Sequence, residues 1–316
     1  MLDYLLPAIF VLLAWWLSTG VVLYLNRLPP STYRFSLLGA TALLGLAVYT
    51  VPVVAAQSGQ PSVLLGFAQA LAIWAWCEMT HFMGFLTGPV KAPCPPALAG
   101  MRRFLRAVGT SLHHELSVVL CGVLLLLLTW DTVNPVAGWA FLALWMLRWS
   151  AKLNLYLGVP NLHEDWIPAH LKHLTSYMRR RPMNILFPVS VTLSSIGAAL
   201  LWAGTAHAPT PATATGMTLV ATLLALGALE HWFLVLPLRD SRLWDWALRL
   251  AGRDAPSPET TAGPVTARPG DPATRPAALD SRRHPPAVAK PRQSGLSARR
   301  AEGARNCTVL GQTSAP

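Results

Sequence analysis

Long apolar stretches, interrupted by short polar ones, occupy the chain up to about residue 240. A helix that crosses the hydrocarbon core of a bilayer needs about 20 consecutive, mostly apolar residues. Seven stretches meet this requirement, at approximately 4–25, 35–56, 63–86, 112–130, 136–157, 184–206 and 216–237. The pattern predicts an all-α, polytopic membrane protein with seven transmembrane helices.

The basic residues alternate between the segments that join these stretches. Segments 26–34, 87–111 and 158–183, and the residues after 237, carry Arg or Lys, whereas 57–62, 131–135 and 207–215 carry neither. Cytoplasmic loops of membrane proteins are enriched in Lys and Arg. The alternation therefore predicts a periplasmic N-terminus and a cytoplasmic C-terminus.

Composition agrees with a membrane protein. Hydrophobic residues make up 53% of the chain and charged residues 12%, against about 25% charged in soluble domains, and the mean hydropathy is +0.41. These values exclude a disordered or small disulfide-stapled protein and disfavour a soluble enzyme. The formal net charge of +11 is shared between loops and tail, so it points to membrane lipid as a partner and not to nucleic acid.

The composition changes after the last apolar stretch. Residues 241–316 are rich in Pro, Ala and Arg, and such a segment buries too little apolar surface to offset the entropy of ordering. We therefore divide the chain into a seven-helix transmembrane domain, 1–240, and a basic cytoplasmic tail, 241–316, which we expect to be disordered from about residue 251.

Several ionisable residues lie inside the predicted helices, where charged groups are costly and mark functional candidates. The predicted topology places most of them, with those of the neighbouring loop, in one layer near the cytoplasmic boundary. The candidate metal-binding or pigment-binding residues are Glu78, His81, His113, His114, Glu115, His163, Glu164, His170, His173, Glu230 and His231, and the candidate charge partners are Arg148 and Lys152.

This layer has three interpretations. The first is a structural network of ion pairs that sets the helix register. The second is a divalent metal site for iron, zinc or manganese, because Glu78 and His81 share a helix face and Glu-x-x-His pairs hold metals in helical bundles. Three glutamates, Glu78, Glu115 and Glu230, against two cations would permit such a metal. The third is a pigment site, since neutral imidazole ligates porphyrin-type metals.

The loop after the fifth stretch adds a further expectation. A short helix beginning near Pro168 would place His170 and His173 on one face. Its apolar residues would then lie on the membrane: Trp166, Leu171, Leu174 and Tyr177.

Six motifs carry a resemblance to a known family: Trp15–Gly20, Trp76–Pro89, His113–Glu115, Lys152–Asn161, Arg181–Pro188 and Leu229–Trp232. Together they resemble the photosynthetic complex assembly protein 2 family, the PuhE-type proteins of purple phototrophic bacteria, over about residues 5–240. The resemblance implies a multi-pass protein of the bacterial inner (cytoplasmic or intracytoplasmic) membrane. It also implies a role beside the type II reaction centre and its core antenna. The family supplies no catalytic residues, and the long tail departs from its pattern.

We therefore expect an assembly factor for the reaction centre and core antenna complex, not an enzyme. Its partners would be reaction centre or core antenna polypeptides and pigment, and it would handle or regulate bacteriochlorophyll supply. The alternative is an integral-membrane, metal-dependent oxidoreductase that uses the Glu/His layer. A transporter is disfavoured because no internal repeat is visible.

Overall fold

A computed structural model describes residues 2–162, 164, 167–237 and 240–253, and these residues form helices and no strand. The nine α-helices are α1 (Leu2–Arg27), α2 (Tyr33–Ala55), α3 (Gln60–Phe82), α4 (Gly100–Gly109), α5 (Leu112–Thr129), α6 (Val136–Leu157), α7 (Leu186–Gly204), α8 (Pro211–Phe233) and α9 (Asp245–Arg253). Short 3₁₀ segments lie at Pro30–Thr32, Ala169–Tyr177, Thr205–His207 and Asp240–Trp244.

Six of these helices are long and apolar enough to cross a membrane: α1, α2, α3, α5, α7 and α8. The prediction of an all-helical membrane protein is therefore confirmed. The predicted fifth stretch forms α6, whose 22 residues give about 33 Å of helix. It is long enough to span but not apolar enough to join the six, since it carries Arg148 and Lys152. The count of seven and the orientation stay predictions.

Helices α3, α6 and α8 form the middle of the bundle. The most apolar windows of α3 and α8 are 56% and 50% buried, whereas those of α1 and α7 are 11% buried. Helix α6 packs against α3, α5, α7 and α8, and α7 pairs with α8. Polar groups on α3 and α6 consequently face protein, where partners can satisfy them.

The core is built from large apolar side chains and small contact residues. Phe67 on α3, Phe141 on α6 and Leu219 on α8 are at most 1% exposed. A methyl group at Gly227 would overlap the present position of the Leu147 side chain, so the absence of a Cβ at Gly227 lets α8 pack closely on α6. Small residues at helix contacts are typical of membrane bundles, where close backbone approach supplies van der Waals attraction.

The outer surface of the bundle is apolar. Leu38 on α2, Leu127 on α5 and Leu193 on α7 are 69%, 71% and 65% exposed, respectively. Water would disfavour so many exposed apolar side chains, but lipid tails solvate them. The exposed faces therefore agree with contact to membrane lipid.

The 3₁₀ segment Asp240–Trp244 and helix α9 pack on α1 through tryptophans. Trp16 Nε1 donates to the Leu243 carbonyl (2.8 Å), and Trp244 Nε1 donates to the Trp16 carbonyl (2.9 Å). The Trp15 and Trp244 rings meet edge to face with centroids 5.2 Å apart. The predicted domain boundary at 240 is thus followed by chain that packs on the bundle. We predicted disorder from about residue 251. Residues from 254 on lie outside the described part of the chain, so this prediction stays untested.

The predicted helix near Pro168 is a 3₁₀ segment, Ala169–Tyr177, and it does not turn its apolar residues to the membrane. Leu171 and Tyr177 are 1% and 4% exposed, Leu174 is half-buried against a pocket described below, and Trp166 lies outside the described residues. The expectation of a membrane-facing helix was wrong for Leu171 and Tyr177. Helix α4 and the loop before it cover this segment. Arg103 of α4 donates to the Tyr177 carbonyl, and the Tyr177 hydroxyl donates to the Ala92 carbonyl (3.2 Å).

Candidate functional site

The connection after α3 brings two pairs of predicted site residues together. The helix ends at Phe82, before the predicted end at 86, and Gly84 has a φ of +85°, which favours glycine. The Thr87 carbonyl then accepts the backbone N–H groups of His113 (2.9 Å) and His114 (3.2 Å). These two hydrogen bonds anchor the start of α5 beside the end of α3.

Four predicted site residues and both predicted charge partners meet there, and we call them the charged cluster: Glu78, His81, His114, Glu115, Arg148 and Lys152. Arg148 Nη2 donates to Glu78 Oε2 at 2.9 Å, and Lys152 Nζ donates to Glu115 Oε1. The Glu78 and Glu115 side chains are only 10% and 12% exposed. Each carboxylate therefore has its own cation, which lowers the cost of placing it in the membrane.

The two histidines of the cluster stack on each other. The His81 and His114 rings have centroids 4.4 Å apart and planes inclined by 31°. His81 Nδ1 lies 3.2 Å from the Leu86 carbonyl, which can only accept, so Nδ1 carries the proton and donates. His114 Nε2 lies 4.0 Å from Glu78 Oε1. Both side chains are almost fully buried, at 3% and 1% exposed.

A pocket of about 140 Å³ lies against this cluster, between α4, the start of α5, α6 and the 3₁₀ segment Ala169–Tyr177. Its apolar and aromatic walls include Phe104, Trp149, Tyr156, Leu174 and Met178. Three cluster members also line it: His81, Glu115 and Lys152. The pocket thus combines aromatic walls with a small polar patch.

A second polar network joins α6, α7 and α8. His231 Nδ1 donates to a carbonyl of its own helix (2.7 Å), and its Nε2 accepts from the Ser150 hydroxyl (2.8 Å). The Ser150 and Ser190 hydroxyls are 2.8 Å apart, and Asn154 Nδ2 donates to Ser190 Oγ (3.0 Å). Asn184 Nδ2 in turn donates a hydrogen bond to Asn154 Oδ1 (3.0 Å). This serine–asparagine network ties the three helices together.

A model of the DUF3623 family, described as proteins of unknown function, matches residues 1–255. A relative from Rhodobacter capsulatus, printed as "Uncharacterized 30.4 kDa protein in puhA 5′region", is 37% identical over 273 residues. That alignment covers 83% of this chain and 96% of the relative. The chain belongs to the DUF3623 family. No solved structure matches it.

The DUF3623 match covers every described helix, α1 to α9, and therefore both polar networks and the pocket. Two predicted site residues nevertheless lie away from the charged cluster. Glu230 accepts a hydrogen bond from Trp15 Nε1 of α1 (2.8 Å), and His231 belongs to the serine–asparagine network. The sequence predicts a common level for these residues along their helices, but it does not predict the direction of each side chain around its helix.

The remaining predicted residues lie in or next to loops: His113, His163, Glu164, His170 and His173. The side chains of His113 and His170 are exposed, and His173 is half-buried. Glu164 pairs with Arg180 at 2.9 Å. His163 lies outside the described residues.

The position of Glu230 changes the charge balance of the predicted site. With Glu230 beside Trp15, the cluster holds two carboxylates and two cations, so its formal charge is zero when the histidines are neutral. Within residues 2–162, 164, 167–237 and 240–253, no three His, Cys, Asp or Glu side chains are grouped to hold a metal ion. The described part of this DUF3623 protein therefore gives the metal hypothesis no support.

Sequence reasoning missed the pocket and the role of the serine–asparagine network. Ser150, Asn154 and Ser190 were visible as polar residues inside apolar stretches, which predicts a partner but does not identify it. Phe104 and Tyr156, whose rings meet edge to face at 5.6 Å, lie in different segments of the chain, and nothing in the sequence pairs them.

Proposed function

We propose that this protein is an assembly factor for the photosynthetic reaction centre and core antenna complex in the bacterial inner membrane. The observation that carries the proposal is the gene position of its relative, which is printed as lying in the 5′ region of puhA. The motifs described above, which resemble the photosynthetic complex assembly protein 2 family, point the same way.

The geometry supports a binding or scaffolding role over catalysis. Both buried carboxylates of the charged cluster are held by cations, Glu78 by Arg148 and Glu115 by Lys152. A carboxylate that is already held by a cation is less available to accept a proton from a substrate. The two ion pairs instead hold α3 and α5 against α6. A rigid membrane scaffold requires helices that are held in fixed positions.

The two candidate cofactors, a divalent metal and bacteriochlorophyll, fit the described residues poorly. A divalent metal needs three or more grouped ligands, and the described chain offers no such group. A cavity of about 150 Å³ accepts one benzene ring, so a pocket of about 140 Å³ is too small to enclose the four pyrrole rings of bacteriochlorophyll. We therefore propose action on the pigment–protein complex through the faces of the helix bundle, and we place no pigment in the pocket.

The test is deletion of the gene in its phototrophic host, followed by complementation. We expect membranes of the deletion strain to lose reaction centre and core antenna absorption, while extracted cells still contain bacteriochlorophyll. The wild-type gene should restore the complex. A double variant, Glu78→Gln with Arg148→Met, removes the ion pair without leaving a lone charge and should also restore it.

The experiment needs one control for protein level. Immunoblots of a tagged protein must show that each variant accumulates in the membrane. If the deletion strain assembled both complexes at the wild-type level, the proposal would be refuted. If it lost total bacteriochlorophyll before it lost the complex polypeptides, the role would lie in pigment supply. If the double variant accumulated without restoring the complex, the cluster would have a chemical role beyond helix docking.

A further inference from the structure

We infer that the pocket beside the charged cluster binds a phenolic ring, with His81 Nε2 accepting the hydrogen bond of its hydroxyl group. This inference is independent of the proposed assembly role. It rests on the size of the pocket, on its walls, and on the acceptor nitrogen of the buried His81 side chain.

The acceptor nitrogen is Nε2 of the His81 ring. The ring donates through Nδ1 to the Leu86 carbonyl, so the other nitrogen of the neutral imidazole is an acceptor. Nε2 has no hydrogen-bond partner among the described residues, and it is not among the atoms sealed in the interior. Because the side chain is 97% buried yet lines the pocket, the pocket is the place where Nε2 meets a ligand.

The size and walls of the pocket define the body of the ligand. Its volume of about 140 Å³ is close to that of a cavity that binds benzene, about 150 Å³. Phe104, Trp149 and Tyr156 line it, and aromatic side chains favour a ring through edge-to-face or offset stacking. A single six-membered ring is therefore the group that fills the space.

The electrostatics define the polar group of the ligand. The charged cluster sums to zero, because Arg148 holds Glu78 and Lys152 holds Glu115. A charged ligand would add an unbalanced charge in a membrane site.

The open position on His81 is an acceptor, so a neutral ring with one O–H donor satisfies it, and a ring without a donor leaves it unsatisfied. The indole N–H of Trp149, which also lines the pocket, has no partner in the part of the chain that the structure describes, and a phenolic oxygen is able to accept a hydrogen bond as well as donate one.

The test compares phenol with toluene, which has the same shape and no donor. Dissociation constants are measured by titration calorimetry on the purified full-length protein in detergent. We expect the phenol-to-toluene affinity ratio to fall about three- to tenfold in His81→Phe relative to wild type, which is the contribution of one hydrogen bond. Partitioning into micelles cancels, because it is common to both proteins.

Two further variants keep the test decisive. His231→Phe makes the same change at a buried histidine outside the pocket and should keep the wild-type ratio. Ala107→Leu narrows the pocket from α4 and should weaken phenol and toluene alike, so it tests the site even if His81→Phe does not fold.

The results of these measurements either overturn the inference or identify the ligand class. Equal ratios in wild type and His81→Phe, or no effect of Ala107→Leu on either ligand, would overturn the inference. If His81→Phe weakens the binding of phenol but not that of 4-octylphenol, the ligand class is a free small phenol. If His81→Phe also weakens the binding of 4-octylphenol, the ring is the head of a longer apolar molecule.

Discussion

Replacing Glu78 by Gln tests whether the charged cluster is held together by its ion pairs. The two charges are 2.9 Å apart, which corresponds to an attraction of about 6 kcal/mol at an effective dielectric constant of about 20. The net loss will be smaller, because both groups were desolvated to form the pair. Removing one partner of a fully buried pair costs roughly 3–5 kcal/mol.

The structure lowers that expectation further. The Arg148 side chain is 32% exposed, and a long arginine side chain released from its partner can extend toward a polar boundary. We therefore expect Glu78→Gln to reduce the free energy of unfolding by about 2–3 kcal/mol. Arg148→Met alone leaves Glu78 without its cation, and it should cost at least as much because Glu78 is only 10% exposed.

The double variant Glu78→Gln/Arg148→Met removes both charges together. We expect its loss to be smaller than the sum of the single losses, with a coupling energy of about 2 kcal/mol. The assay is reversible unfolding in mixed detergent micelles, followed by helical circular dichroism. Single losses that simply add, to within about 0.5 kcal/mol, would refute the reasoning, since the pair would then contribute nothing beyond its separate members.

Three further predictions concern helix packing, the start of α7 and the membrane topology. Gly227→Ala should cost about 1–3 kcal/mol through overpacking against Leu147, and Leu147→Ala in the same chain should recover part of that loss in the unfolding assay. Asn184→Ala should cost about 2–3 kcal/mol in the same assay. Its Oδ1 accepts two backbone N–H groups at the start of α7 (2.9 and 3.1 Å), and Nδ2 donates to the Gly158 carbonyl (2.9 Å). Reporter fusions at the two ends of residues 1–253 should report opposite sides of the membrane if α6 spans it.

Each of these has a contrasting result. Gly45 has open space around the position of a Cβ, so Gly45→Ala is the matched control and should change stability little. A Gly227→Ala loss that Leu147→Ala deepens would mean that the two helices do not meet there. If Asn184→Ala left the free energy of unfolding unchanged, water would be replacing the hydrogen bonds of the amide group. Reporters on the same side would mean six spans, with α6 not crossing.

The helices could be predicted from the sequence because a bilayer imposes a simple length and polarity rule. Each predicted apolar stretch overlaps a helix of the structure, with ends that differ by a few residues. The largest C-terminal shifts, at α3 and α8, occur where the apolar character continues into the next loop. There the backbone leaves the helix, as at Gly84 with its positive φ.

The sequence predicted that several polar residues lie at one level along the helices, but it did not predict their partners. Glu78, His81, His114 and Glu115 were expected at one level and do meet, together with Arg148 and Lys152. Glu230 was expected with them and instead bonds Trp15. In a soluble helix the apolar stripe identifies the inward face. In a membrane helix, lipid-facing and core-facing positions are both apolar, so this signal is lost.

The sequence by itself determined the class of the protein and the approximate positions of its helices. Length and apolarity are properties of each segment alone, and the bilayer selects on them directly. Only the tertiary structure decided which charges pair, that Leu171 and Tyr177 turn inward, and that α4, α6 and the 3₁₀ segment enclose a pocket. These features depend on the rotation and packing of several segments at once, and no single segment encodes them.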